Sequence, residues 1–159
     1  MGSGSTTKTG RLTAIQLAPV QFFEYIKERI TTQSERAYID SIMIPGVLGP
    51  NPIYYTFWLG IDHVRELIVC EAYFKGEPVK GTVEIGYQVV NGFEYQGYTS
   101  EMVGLLVDVA RGISEIRTLE AIVADWNVHS KRILEKNGFK QIAKSTVDGI
   151  SVGVWHKKV

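Results

Sequence analysis

Cysteine is nearly absent from this chain. The single residue, Cys70, excludes an internal disulfide and any multi-cysteine metal centre. It lies in the apolar run Leu67-Ile68-Val69-Cys70 and reads as a buried structural thiol, because free cysteine behaves as a small hydrophobe. An excess of charge of either sign is also lacking: 17 Lys plus Arg stand against 17 Asp plus Glu. A neutral chain has no global field to draw it onto nucleic acid or an anionic membrane, so neither is expected as a partner. No apolar run approaches the ~20 residues that span a bilayer, and the first residues show no secretory pattern. Metal-ligand spacing is missing as well, since His63, His129 and His156 are scattered, so no metal is expected. The lack of disulfides suits a reducing compartment, and the cytoplasm is the expected location. What is present is a chain of 159 residues, 45% hydrophobic, long enough to bury one real core.

Residues 1–10 are Gly/Ser/Thr-rich and predict a disordered leader, native or introduced. Met1 to Thr6 also fits the myristoylation pattern M-G-x-x-x-[ST], but the flexible-leader reading is preferred. From residue 11 to 159 no linker or internal repeat interrupts the chain, so one domain is expected. Leu12 to Ala18 predicts a first strand. Pro19 opens a helical pattern through Glu28. A second helix is predicted from Ser34 to Ile44, ended by Pro45-Gly46. Ile53–Ile61, Glu66–Phe74 and Thr82–Val90 are rich in Val, Ile, Tyr, Phe and Trp and predict an antiparallel meander. The period then changes. Met102, Val103, Leu105, Leu106, Val109, Ala110 and Ile113 recur at helical spacing, predicting a helix from Tyr98 to Arg111. Arg117–Ala124 predicts a strand. A helix from Asn127 or Ser130 stops at Asn137-Gly138, and a hairpin turns at Asp148-Gly149. The crossover helix makes Thr82–Val90 and Arg117–Ala124 parallel neighbours in a mixed α/β fold. Ligands of such sheets sit beyond the carboxyl ends of those strands, at Val89–Asn91 and Ala124–Asn127.

Two segments carry chemistry. In the first, Val89 to Glu101, a glycine-bearing loop runs from a strand into a helix whose first N–H groups lack partners and carry positive partial charge. That arrangement binds phosphate without a lysine. The second is Ala124-Asp-Trp-Asn-Val-His-Ser-Lys-Arg-Ile-Leu-Glu-Lys-Asn-Gly-Phe139.

With Asn127, Ser130, the Arg132–Lys136 run and Gly138-Phe139, the second segment resembles the GNAT N-acetyltransferases, in particular the branch typified by RimJ and RimL. Gly81-Thr-Val-Glu-Ile-Gly-Tyr87 looks like that branch's fourth-strand motif. Gly97-Tyr-Thr-Ser-Glu101 looks like its helix start, and Arg11-Leu-Thr like its first strand. The resemblance implies an acyl-CoA N-acyltransferase fold, with a mixed, largely antiparallel sheet of about six or seven strands and helices on both faces. It implies an acyltransferase that moves an acetyl group from acetyl-CoA to a primary amine by direct attack. The acceptor would be a protein N-terminus or a small molecule. A longer acyl group, or a non-catalytic CoA-binding member, is the alternative, and a homodimer is possible.

By the same resemblance, the pantetheine arm would pair with backbone near Val89. The pyrophosphate would lie on the N–H groups of Tyr95, Gln96, Gly97, Tyr98, Thr99 and Ser100. Asn127 would contact the cofactor from the other wall or cap its own helix. Glu84, in an otherwise apolar strand, is the candidate base, expected to be partly buried, and Asp125 is a weaker one. Ser130 is the candidate thiol-side group, because Leu134 stands where many relatives have a tyrosine. Tyr87 and Trp126 are candidates for the acceptor pocket. Two positions depart from the family's pyrophosphate pattern. Glu94 replaces Gln or Arg and Thr99 replaces a small residue, and a carboxylate there is repulsive unless it points away.

Overall fold

A computed structural model of the chain describes residues 6–8, 10–29 and 31–159. Its eight strands are β1 (Thr6–Lys8), β2 (Leu12–Gln16), β3 (Phe57–Asp62), β4 (Ile68–Phe74), β5 (Thr82–Val89), β6 (Thr118–Ala124), β7 (Lys140–Val147) and β8 (Ile150–Lys158). They form one sheet in the order β1-β2-β3-β4-β5-β6-β8-β7. The meander β2 to β5 is antiparallel, β5 and β6 are parallel, and β8 lies antiparallel between β6 and β7. The mixed sheet and its single parallel pair match the sequence expectation. It has seven main strands and a three-residue edge strand.

That edge strand corrects the expected leader. Thr6–Lys8 pairs with β2; two threonines suit a pleated edge, and β2 offers an open row of backbone groups. Residues 1–5 and 9 lie outside the described residues.

The helices are α1 (Pro19–Glu28), α2 (Gln33–Tyr38), α3 (Ile44–Val47), α4 (Tyr98–Arg111) and α5 (Val128–Lys136). The helix expected to stop before Pro45 instead passes through a π-helical segment, Ile39–Met43, into α3. Proline lacks the N–H that an interior α-helical residue donates. Here Pro45 stands in the first turn of α3, where that donor is not needed. Ile53 and Tyr54, expected as strand, lie in a 3₁₀ turn from Pro52 to Tyr54. Tyr54 N–H donates to the Asn51 carbonyl and Tyr55 N–H to that of Pro52, so turn chemistry overrides strand propensity.

Alternation along β3 and β4 divides the core. Phe57 and Leu59 pack against Phe22, Ile26, Ile39, Met43 and Val47 of α1 to α3. Trp58, Cys70, Ala72 and Phe74 belong with Met102, Leu106 and Leu134 of α4 and α5. Helices thus cover both faces. Among the described residues no helix is long and apolar enough to cross a membrane.

Candidate active site

The parallel pairing of β5 with β6 is short. Thr82, Val83 and Glu84 pair with Thr118, Leu119 and Glu120. Beyond Glu84, β5 keeps β4 as its partner, and beyond Glu120, β6 keeps β8. The two strands therefore part and leave a V-shaped cleft in the middle of the sheet. The backbone polarity of its β5 wall follows from register. Lys75 N–H donates to Glu84 C=O at 2.8 Å and Val90 N–H donates to Val69 C=O at 2.9 Å. Even-numbered residues of β5 thus turn their peptide groups toward β4. Beyond the paired stretch, Tyr87 and Val89 turn theirs toward the cleft, where no strand of the described residues meets them.

A cavity of about 270 Å³ opens at the mouth of this cleft. Val89 and Phe93 form one side, residues 95–100 the floor, and His129, Arg132, Ile133 and Lys136 the wall contributed by α5. The floor is the loop into α4. Tyr95 and Gly97 both take left-handed backbone, at φ +58° and +83°, and Gly97 is the N-cap of α4. The first bond of that helix runs from Glu101 N–H to Gly97 C=O. The N–H groups of Tyr98, Thr99 and Ser100 precede it and have no acceptor within the helix. Asn137 locks α5 to this spot: its Nδ2 donates to Ser100 C=O and Oγ, both at 3.1 Å.

Arg11 and Arg65 hold the loop from behind. Arg11 Nη2 donates to Gln96 C=O at 2.9 Å, and its guanidinium lies 4.4 Å over the Tyr98 ring. Arg65 Nη1 donates to Gln96 Oε1 and to Tyr98 Oη. Tyr98 Oη in turn donates to Asp62 Oδ2 at 2.7 Å. That bond, ahead of the backbone donors on the same carboxylate, holds Asp62 below the usual carboxylate range. The side chains of Gln96 and Tyr98 are therefore engaged in the support of the loop, and both residues line the cavity. The two departures from the family pattern are placed differently. Glu94 folds back, its Oε2 accepting from Gly92 N–H at 2.8 Å, and it does not line the cavity. Thr99 is buried, 7% exposed, and forms part of the cavity floor. The cation pair Arg132 and Lys136, unassigned from sequence, supplies positive charge on the opposite wall. Their spacing with His129 and Ile133 puts all four on one helical face, a signal present in the sequence.

Asn127 caps α5, its Oδ1 accepting from Ser130 N–H at 3.0 Å. Ser130 is buried, and its Oγ lies 2.7 Å from Tyr87 Oη. Strand alternation puts Tyr87, a candidate for the acceptor pocket, on the face of β5 that meets α5. Trp126 is 74% exposed beyond the end of β6 and lines none of the described cavities. Leu134 is fully buried.

Glu84, Gly86 and Gln88 share the other face of β5. Glu84 is partly buried, 26% exposed, and Lys75 Nζ contacts its Oε1 at 2.7 Å. Asp125 accepts from Ser151 Oγ at 2.6 Å and lies near Lys144 and Lys131. The Ser151 bond, with the lysines behind it, holds its carboxyl below the usual range, a poor setting for a base. On this face a second cavity, of about 410 Å³, is lined by Tyr38, Phe57, Tyr73 and Lys75, with Asp148 from the β7–β8 turn. The Tyr38 hydroxyl is buried there without a partner among the described residues. Behind it Glu71, unassigned from sequence, accepts from Tyr25 Oη and Gln88 Nε2, each at 2.6 Å, and pairs with Arg29. Burial also raises the Cys70 thiol to about 12, which fits a structural residue.

The family model described as an acetyltransferase (GNAT) domain matches residues 15–140. The chain belongs to the GNAT acetyltransferase family. GNAT structures share its architecture. A putative GNAT-family acetyltransferase from Bordetella pertussis has a TM-score of 0.73 at 18% identity, covering 96% of this chain and 99% of that one. RimL, a ribosomal L7/L12 α-N-protein acetyltransferase solved with coenzyme A, has a TM-score of 0.71 at 16% identity, with 98% of each chain covered. The spermidine N-acetyltransferase SpeG chimera from Vibrio cholerae has a TM-score of 0.68 at 13% identity, over 92% of this chain and 95% of that one. No curated protein matches by sequence. As a GNAT protein, the chain is an acyltransferase by class.

Proposed function

We propose that the chain transfers an acetyl group from acetyl-CoA to a primary amine by direct attack within a ternary complex, as a RimJ/RimL-like enzyme. The parting of β5 from β6 carries this reading. It leaves a row of cleft-facing peptide groups that ends at an anion-binding helix start. The residues fit an acyl-CoA. Val89 backbone would hold the amide-bearing arm. The N–H groups of residues 95–100 would meet the pyrophosphate, and Arg132 and Lys136 the remaining phosphate charge. Asn127 Nδ2 and Ser130 would stand on the far wall. Glu84 is the proposed base, and the second cavity the proposed acceptor site. Catalysis by the chain consists of holding both reactants in line and accepting the proton that the amine sheds.

Incubation with acetyl-CoA and a panel of polyamines and N-terminal peptides is expected to release CoA. Tight acetyl-CoA binding with no release from any acceptor would replace this reading by the non-catalytic one, and release only with a longer acyl-CoA would correct the donor. The phosphate wall has its own test. Arg132→Ala together with Lys136→Ala is expected to weaken CoA binding about 10- to 100-fold and to flatten its salt dependence. Calorimetry at two salt concentrations reads both, and an unchanged Kd removes these cations from the site. All eight residues of the edge strand β7 are exposed, a surface for pairing with a second copy. A homodimer is proposed on that ground, and a monomeric mass by light scattering at working concentration would dismiss it.

A further inference from the structure

Ile85, Ala121, Val123, Ile133 and Leu134 belong to the buried core against which Tyr87 packs, and one polar pair stands beside them. Tyr87 reaches from β5, Ser130 reaches from α5, and their hydroxyl oxygens are 2.7 Å apart. This pair links β5, one wall of the V, to α5. Two hydroxyls that share one hydrogen bond use only one of their two protons on each other. The other proton has no acceptor among the described residues. Ser130 is fixed in place, because its own N–H is bonded to the α5 N-cap.

The position of the pair follows the row of cleft-facing peptides. A ligand arm that bonds the Val89 backbone and runs down β5 reaches Tyr87 two residues on, about 7 Å away. The arm of an acyl-CoA ends in sulfur. Burial raises the Tyr87 phenol above its ordinary range, ahead of the opposing hydrogen bond to Ser130, so the phenol keeps its proton.

We propose that Tyr87 Oη is the hydrogen-bond donor that stabilises the departing thiolate, and that Ser130 is a positioning residue whose hydroxyl donates to Tyr87 and turns its O–H into the cleft. This rests on the acetyl-CoA reading above. In the step, the amine nitrogen forms the new C–N bond. The C–S bond breaks with its electron pair on sulfur, and the Tyr87 O–H bonds that sulfur without giving up its proton. The proton lost by the amine leaves through the base to solvent and is the one that finally neutralises the thiolate. No oxidant or further reactant is needed.

The test uses CoA itself and needs no acceptor. The thiol of bound CoA is titrated by its thiolate absorbance in wild type, Tyr87→Phe and Ser130→Ala. In wild type it is expected to ionise at lower pH than free CoA. In Tyr87→Phe the midpoint is expected to rise by about one pH unit, and in Ser130→Ala by less. An unchanged midpoint in Tyr87→Phe overturns the proposal and leaves the acetyl-CoA reading standing. A wild-type protein that does not bind CoA overturns both. A second measurement needs no variant. Affinity for CoA is expected to increase as pH rises through the thiol range, while affinity for desulfo-CoA is not. Equal pH dependence of the two would also overturn the proposal.

Discussion

Glu84→Gln is expected to bind acetyl-CoA as tightly as wild type and to lower kcat about 100-fold or more, the scale of a lost proton acceptor. The geometry separates the two effects. Glu84 is the last residue of β5 still paired with β6, so it stands at the apex of the cleft. Its side chain points to the face opposite Tyr87, away from the proposed CoA wall. Its present partner is informative. An acceptor amine arrives as an ammonium, and Lys75 already places an ammonium 2.7 Å from the carboxylate. With Glu84 as the proposed base, Lys75 stands where a protonated acceptor would, and an incoming amine would displace it. Glutamine keeps the size of the side chain and loses its capacity to accept a proton. Lys75→Met is the complementary variant, expected to lower KM for the amine while kcat stays within a few-fold of wild type. Steady-state kinetics with the best acceptor from the panel, together with calorimetry for CoA, read all of this. A Glu84→Gln enzyme with near wild-type kcat would hand the proton to solvent or to another group.

Glu71→Ala is expected to cost about 3–5 kcal/mol of stability, because it strands a buried charge. The side chains of Glu71 and Arg29 are 2% and 8% exposed, and their closest approach is 2.5 Å. Tyr25 and Gln88 complete the shell of donors around the carboxylate. Once the carboxylate is gone, the nearest remaining acid to Arg29 is Glu35, at 3.8 Å. Burial first, then the charge of Glu71, keeps the Tyr25 phenol well above its usual range, so it serves as a permanent donor. For a chain of this size the loss corresponds to roughly 10 °C in Tm. The double variant Glu71→Leu with Arg29→Met is expected to recover most of it, since an apolar pair of similar volume avoids the unpaired charge. Urea denaturation of the three proteins tests the sequence of effects. A Glu71→Ala protein within 1 kcal/mol or so of wild type would mean that the pair is effectively solvated.

The unit from β5 to α5 was legible because its signals are local. Helical spacing marked α4, the glycine-bearing loop marked its start, and Asn127 or Ser130 marked the start of α5. The parallel pairing followed from the crossover. Strand parity held more than was drawn from it. Glu84 and Tyr87 are an odd number of residues apart, so their side chains lie on opposite faces of β5. Likewise the four-residue spacing of Arg132 and Lys136 is readable in the sequence and puts both on one helical face. Other features depend on register or on tertiary cover. Lys75 meets Glu84 only because the β4–β5 hairpin pairs those two positions. Glu71, in a strand that could equally have shown it to water, is buried because α1 and the segment after it close over it. The helix that runs on through Pro45 contradicts a sound stop signal, and the π-helical segment before it is what sets Pro45 in a first turn.

The parting of β5 from β6 also bears on how the molecule rests between turnovers. A strand in the middle of a sheet normally satisfies both of its edges, and β5 leaves half of one edge to water. The ladder is one segment short, and an amide-bearing arm laid along Val89 and Tyr87 would restore it. The co-substrate would then act as a removable piece of the fold. Its concentration would set the melting temperature as well as the rate, through the logarithmic linkage between ligand and folded state.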